Sequence, residues 1–277
     1  GLVLAGGLMF MFRLRQRYDS PPNDRFEGAV VAPPDALRPG IAGALAANGS
    51  VSLQHAMASL FALADRHVVT ITEEPRKWGQ RHFTLHRRLS DQALAPEETV
   101  VLDLAFHHKS RRESQPADQV SLTEARTRIA SRLKAFKTAV NQELRALGML
   151  DDERMRVRAR YLGFATLFVI LAFLLVIPAA FLTRQYDAWP FLVVGAVAAI
   201  GIVGFIFYGA LTPLSNEGAR RAERWRAYQQ HLKEVAKERA QLTSDSPSRL
   251  LPFAVALGLA AAWSKFLKSH PVGVPPW

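Results

Sequence analysis

The chain has 277 residues, a formal net charge of +11 and no cysteine. The missing cysteine excludes disulfides and thiolate metal sites. The basic excess leaves three kinds of partner open: anionic lipid, nucleic acid, or an acidic protein surface.

The opening, GLVLAGGLMFMF, is apolar but only about half a membrane span long. Arg13, Arg15 and Arg17 follow it, whereas a signal peptide carries its charge before the apolar core. Residues 1–12 therefore read as the end of a transmembrane helix begun outside this chain, with the arginines as its inside anchor. Tyr18 to Pro39 is loop-like and rich in proline. A short helix is expected over Leu37–Ala47, stopped by Asn48-Gly49.

Ser50 to Arg66 repeats its apolar residues, Leu53, Ala56, Met57, Leu60, Phe61 and Ala64, at helical spacing. His67 to Glu74 is β-branched and alternating, PRKWGQ (Pro75–Gln80) is a turn, and Arg81 to Arg88 alternates again. Helix, helix, strand, turn, strand is the order of a winged helix-turn-helix. Residues 20–110 are therefore expected to form a winged-helix-like domain, with Arg76, Lys77, Trp78 and Arg81 around the wing. The helix that would read DNA, Ser52–Ala64, offers Gln54, His55 and Ser59 but no arginine or lysine, so base recognition is not expected. His82 and His86 share one face of a strand. No third ligand stands near them and the helical HExxH pattern is absent, so no metal site is assigned.

A helix is expected to start at Pro96, with Glu97 and Glu98 favoured by its positive end. Lys109–Gln119 is a linker by composition. Ser121 and Glu124 form a capping box, and Leu122, Ala125, Ile129, Leu133, Phe136, Val140, Leu144 and Leu147 predict one long amphipathic helix ending at Gly148. Its other face carries Arg126, Arg128, Arg132, Lys134 and Lys137. Asp151, Asp152 and Glu153 suit the start of the next helix, and residues 118–160 read as cytoplasmic amphipathic helices.

Two uncharged runs follow. Tyr161–Thr183 contains fourteen Leu, Ile, Val or Phe residues, and the second run has its apolar heart at Phe191–Leu211. Each spans a hydrocarbon core of ~30 Å at ~1.5 Å per residue. The first gains about 4–8 kcal/mol on insertion, with no charge opposing it. Residues 161–212 are thus expected to be a transmembrane hairpin. Arg154–Arg160 precede it and Arg220–Arg226 follow it, while the joint, RQYDAWP, holds one Arg and one Asp. That asymmetry puts both flanks in the cytoplasm and makes an anionic inner leaflet a partner. Gly195, Ala198, Gly201 and Gly204 make a small-residue stripe suited to tight helix packing.

Residues 213–277 are expected to be cytoplasmic C-terminal helices. The first is basic, with Gly218, Ala222, Trp225, Tyr228, Leu232 and Val235 as its apolar stripe. Residues 250–267 are too short for a comfortable span. A buried helix and an interfacial segment both fit, and the buried helix is preferred. PVGVPPW reads as a loose tail.

Several stretches resemble the bacterial YciQ-like predicted membrane proteins, a family of unknown function. They are PPDALRPGIAGAL (Pro33–Leu45), LFALADRHVVTIT (Leu60–Thr72), the Leu211–Leu232 stretch ending RWRAYQQHL, and LPFAVALGLAAAW (Leu251–Trp263). The resemblance implies an integral membrane protein with a cytoplasmic winged-helix-like module, of which this chain is the C-terminal portion. It implies no activity.

No nucleotide loop, nucleophile elbow or dinucleotide fingerprint is present, so no catalytic residue, cofactor or enzyme activity is expected. The expected fold class is a mainly α membrane protein with a transmembrane helical hairpin and a cytoplasmic α+β winged-helix-like domain. The expected function is a multi-pass inner-membrane scaffold or protein-interaction module with an unidentified protein partner. Candidate contact residues are Arg76, Lys77, Trp78, Arg81, Trp225, Tyr228 and Trp263. Alternatives are a membrane-tethered DNA-binding regulator, and an accessory subunit of a transport or envelope complex.

Overall fold

The computed structural model describes residues 30–77, 80–88, 92–107, 118–242 and 247–269, with Met9 and Gly28; for residues 76, 77, 80, 81 and 184–186 it describes the backbone alone. The readings of residues 1–12, of most of the Lys109–Gln119 linker and of the PVGVPPW tail lie outside the described residues. The chain is mainly helical, with one small sheet, and divides into two compact units. The smaller unit takes residues 1–23 and 150–215, and its described part is almost wholly the 150–215 stretch, which is inserted into the sequence of the larger one.

In the larger unit, α1 (Pro39–Ala46) begins on proline, whose fixed φ and missing N–H suit a first turn. It stops where Asn48 and Gly49 turn to positive φ. Next come α2 (Leu53–Asp65) and the antiparallel strands β1 (Val69–Lys77) and β2 (Gln80–Arg87), with Ile71 opposite Leu85 and Thr72 opposite Thr84. The turn is shorter than PRKWGQ suggests. Both strands continue into it, and the register slips between Glu74 and Lys77, next to Pro75, which has no N–H for the ladder.

Helix α3 (Pro96–Phe106) leads to β3 (Gln119–Ser121), a strand the sequence did not announce, which pairs with β2 to give the order β1-β2-β3. The long amphipathic helix is two helices, α4 (Leu122–Ser131) and α5 (Leu133–Ala146). Half of the predicted capping box forms: Ser121 Oγ accepts the Glu124 N–H at 3.1 Å. The break falls on Arg132, whose guanidinium donates to the Leu104 and His107 carbonyls at 2.8 and 3.1 Å. The apolar stripe survives the break, with Ala125, Ile129, Phe136, Val140 and Leu144 buried.

The smaller unit is a helical hairpin, α6 (Asp152–Tyr186) and α7 (Trp189–Ala210). Asp151 caps α6, accepting the Glu153 and Arg154 N–H groups at 2.9 and 3.1 Å. Both helices are long and apolar enough to cross a membrane. Their apolar side chains face outward: Phe173 is 78% exposed and Leu192 74%, with Leu167, Ile170, Ile177, Phe181, Ile202 and Ile206 also exposed. A water-soluble hairpin would bury such a surface, whereas lipid accepts it. At the seam, a Cβ on Gly201 would stand 2.8 Å from Val169 Cγ2 and 3.2 Å from the Ala165 carbonyl. Gly204 is also buried, but a Cβ on Gly195 would meet nothing within 4 Å, so the small-residue stripe packs only in part. The two ends of the hairpin are clasped: Leu150 and Leu214 form an antiparallel bridge, and the Asp151 N–H donates to the Pro213 carbonyl at 3.0 Å.

The chain returns to the larger unit in α8 (Asn216–Ala236), followed by α9 (Leu251–Ala256) and α10 (Ala260–Ser269). α8 packs on α1, and α9 packs on α1 and α2. The 250–267 stretch divides at Gly258, where φ is +77: α9 is mostly buried, whereas α10 is amphipathic, burying Trp263 and Phe266 and exposing Ala260–Ala262, Ser264 and Lys265. Residues 118–149 and 216–269 share one compact unit with residues 30–107.

Candidate interaction site

The β1–β2 hairpin is buried at its base and open towards its tip. Val69 and Leu85 are buried, while Thr72, Glu73, Pro75 and His82 are exposed. Arg76 and Lys77 lie at the end of β1 and Arg81 near the start of β2; Trp78 lies outside the described residues. The polar face is hydrogen-bonded within itself: His86 Nε2 is 2.9 Å from Thr72 Oγ1, and Thr84 Oγ1 donates to Glu74. His82 and His86 are four residues apart on β2, about 13 Å at strand rise, which is too far to share one ion. Among the described residues no group of three His, Asp or Glu could hold a metal.

The other candidate contacts lie inside the larger unit. Trp225 Nε1 donates to Asp35 Oδ1 at 3.2 Å, and the indole stacks on Phe253 with centroids 5.5 Å apart. Tyr228 meets Trp225 edge-on at 5.8 Å. Trp263 Nε1 donates to the Pro247 carbonyl at 3.1 Å and packs on Phe266. All three side chains are buried. They join α8, α9 and α10 to the N-terminal loop, as the apolar stripe on α8 implies.

The supposed DNA-reading helix is also internal. In α2, residues His55 through Leu60, with Leu63 and Ala64, are buried, because α1, α3 and α9 pack around it. Of the polar residues this helix would offer to DNA, His55 and Ser59 are buried and Gln54 is exposed. At its centre His55 Nδ1 accepts the Ser52 N–H at 3.1 Å. A Cβ on Gly43 of α1 would stand 2.8 Å from the His55 ring and 2.6 Å from the Ala256 carbonyl of α9. Burial lowers the His55 pKa from the ordinary 6.5 to about 4.

Beside α2 lies a pair of buried acids that the sequence placed only as helix-end charges. Glu97 is clamped by Arg38, which also reaches Glu143. Glu98 accepts from Arg66 at 2.6 Å and from the Ala95 N–H at 3.0 Å. The sequence offered acids at a helix start, which is where P-E-E belongs. The partners are 59 and 32 residues away, beyond any local pattern.

The chain matches the family described as the predicted membrane protein (DUF2207) C-terminal domain, over residues 24–267. It belongs to that family. No curated protein and no solved structure matches it. The match takes in both units of this DUF2207 domain, including α6 and α7, the two candidate spans among the described residues.

Much of the basic excess of this DUF2207 domain is internal strutwork. Arg128 and Arg132 donate to the last carbonyls of α3, and Arg226 donates to the Ala46 carbonyl at the end of α1, at 3.0 Å. Arg154 donates to the Leu214 carbonyl at 2.7 Å. Arg221, hydrogen-bonded to Glu217 at 2.8 Å, holds that carboxyl below its ordinary range. Several arginines first counted as outward-facing charge therefore close helix ends.

Proposed function

We propose that this DUF2207 domain is a membrane-anchored protein-interaction module without enzymatic activity, its larger unit on the cytoplasmic face of the inner membrane. Two crossings return a chain to its starting side, and the arginines flanking α6 and α7 outnumber those of the joint, which favours the cytoplasm for both flanks. The topology favours a winged-helix-like core in permuted order. α1, α2, β1 and β2 follow the helix-helix-wing sequence, while α3 and β3 stand in for the first helix and strand, β3 pairing antiparallel with β2.

The observation that carries the reading is the β1–β2 hairpin, buried at its base at Val69 and Leu85 and exposed at Thr72, Glu73, Pro75 and His82. Its tip sequence, Arg76-Lys77-Trp78-Gly79-Gln80-Arg81, suits an acidic protein surface: arginine for carboxylates and tryptophan for area. The burial of α2 disfavours the DNA-binding alternative. The test is a photoreactive residue in place of Trp78 in membranes carrying the full chain, with Gln142 on the exposed side of α5 as control. A protein adduct specific to position 78 is expected. Adducts at neither position, or equally at both, would refute the reading. The absence of native cysteine also allows a clean topology test: Asp187→Cys should react with an impermeant maleimide from outside, and Gln142→Cys only after permeabilisation.

A further inference from the structure

We propose that the α6–α7 hairpin carries a site for the phosphate of an anionic phospholipid, built on Arg158 and Tyr208. The proposal rests on the hairpin crossing the bilayer and deepens the part played by its arginines. Arg158 lies one helical turn before Tyr161, where the uncharged run begins. That run, about 34 Å long at helical rise, fills a core of ~30 Å, so Arg158 stands at headgroup depth. Its guanidinium carbon is 4.4 Å from the centre of the Tyr208 ring, near the end of α7. Tyrosine at that depth is an interfacial residue, with an apolar ring and a hydroxyl facing the headgroups.

The charge of Arg158 is not balanced within the hairpin. Arg154, one turn earlier on the same face, is engaged by Asp151 and the Leu214 carbonyl. Arg156 donates to the Asp152 carbonyl. Arg158 Nε is covered yet has no hydrogen-bond partner, and among the described residues no carboxylate forms an ion pair with Arg158. The side chain as a whole is only half-buried. A part-covered guanidinium with no counter-ion calls for an anion, and its planar fork matches two phosphate oxygens. At headgroup depth the abundant phosphate is the lipid's own. A zwitterionic lipid offsets that charge with its own cation, whereas phosphatidylglycerol does not.

The test uses the full chain purified in a neutral detergent, with phosphatidylglycerol or phosphatidylcholine added and retained lipid counted by native mass spectrometry. Phosphatidylglycerol should be held about tenfold more tightly than phosphatidylcholine, the scale of one charge-assisted contact. Arg158→Gln should remove that preference. Arg160→Gln, the same charge change at an exposed position two residues on, should keep it within about twofold. Arg158→Lys, which keeps the charge but not the fork, should fall between, and serves if the glutamine variant does not fold. Equal losses at 158 and 160 would mean diffuse charge and overturn the site. Displacement of the lipid by millimolar inorganic phosphate would assign it to free phosphate and overturn the lipid assignment. A failure of the membrane reading itself would look different, with the chain in the aqueous fraction before any detergent is added.

Discussion

Arg66 Nη1 lies 2.6 Å from Glu98 Oε1, an ion pair between the end of α2 and the start of α3. The glutamate side chain is 3% exposed and the arginine 37%. Removing the arginine leaves a buried carboxylate with its helix-end hydrogen bond alone. Arg66→Ala should destabilise the larger unit by about 2–3 kcal/mol, less than for a fully enclosed pair because Arg66 is part-solvated. Arg66→Ala combined with Glu98→Ala should cost less than the sum of the two single changes, since neither charge is then stranded. Denaturant titration followed by the fluorescence of the buried Trp225 and Trp263 measures both.

The start of α8 passes so close to Met149 that a Cβ on Gly218 would stand 2.2 Å from the Met149 carbonyl oxygen. Backbone lies on both sides of this contact, so no rotamer change relieves it. Gly218→Ala should cost about 1–3 kcal/mol, a large effect for one methyl group. A variant as stable as the parent in the same titration would show that the contact is looser than described.

His55 sets a pH dependence. Its folded pKa, about 4, lies below the ordinary 6.5, so the unfolded chain takes up the proton first as pH falls. Stability contributed by neutral His55 should be complete above pH 6.5, decline between 6.5 and about 4, and fall no further from this residue below that. The expected loss is about 3 kcal/mol. Protonation would also end the acceptance of the Ser52 N–H at Nδ1. Glutamine at the same helical position can accept that N–H without titrating, so His55→Gln should flatten the stability profile across this window.

Within the membrane hairpin, two glycines of one stripe should behave differently. Gly201→Val meets Val169 and the Ala165 carbonyl and should weaken the hairpin by about 1–3 kcal/mol, whereas Gly195→Val, with open space around it, should be close to neutral. Unfolding in graded dodecyl sulfate separates the two.

Periodicity and hydropathy made most elements readable, because both report which face is buried. The spans, the stripe on α8 and the helix ending at Asn48-Gly49 are of this kind. The break at Arg132 was not, since it depends on carbonyls presented by α3 from elsewhere in the chain. The same holds for β3: three residues carry too little pattern, and it exists because β2 offers an edge. At the candidate site, the tip residues were legible as a basic turn. The aromatic residues were legible as an apolar stripe, and burial shows that the stripe is structural. Arg38 and Arg66 were not legible as partners of Glu97 and Glu98, because charge in a sequence carries no address.

The close approach of Gly218 to Met149 has a practical consequence. The chain departs for the hairpin and comes back at neighbouring points, so the anchor behaves as a removable loop. Starting the chain at Asp24, splicing out residues 150–215 and joining the cut ends by a few flexible residues should yield the larger unit as a water-soluble protein. Ending the chain at Met149 instead would discard Trp225 and Trp263 and leave the first half without the partners that close its interior.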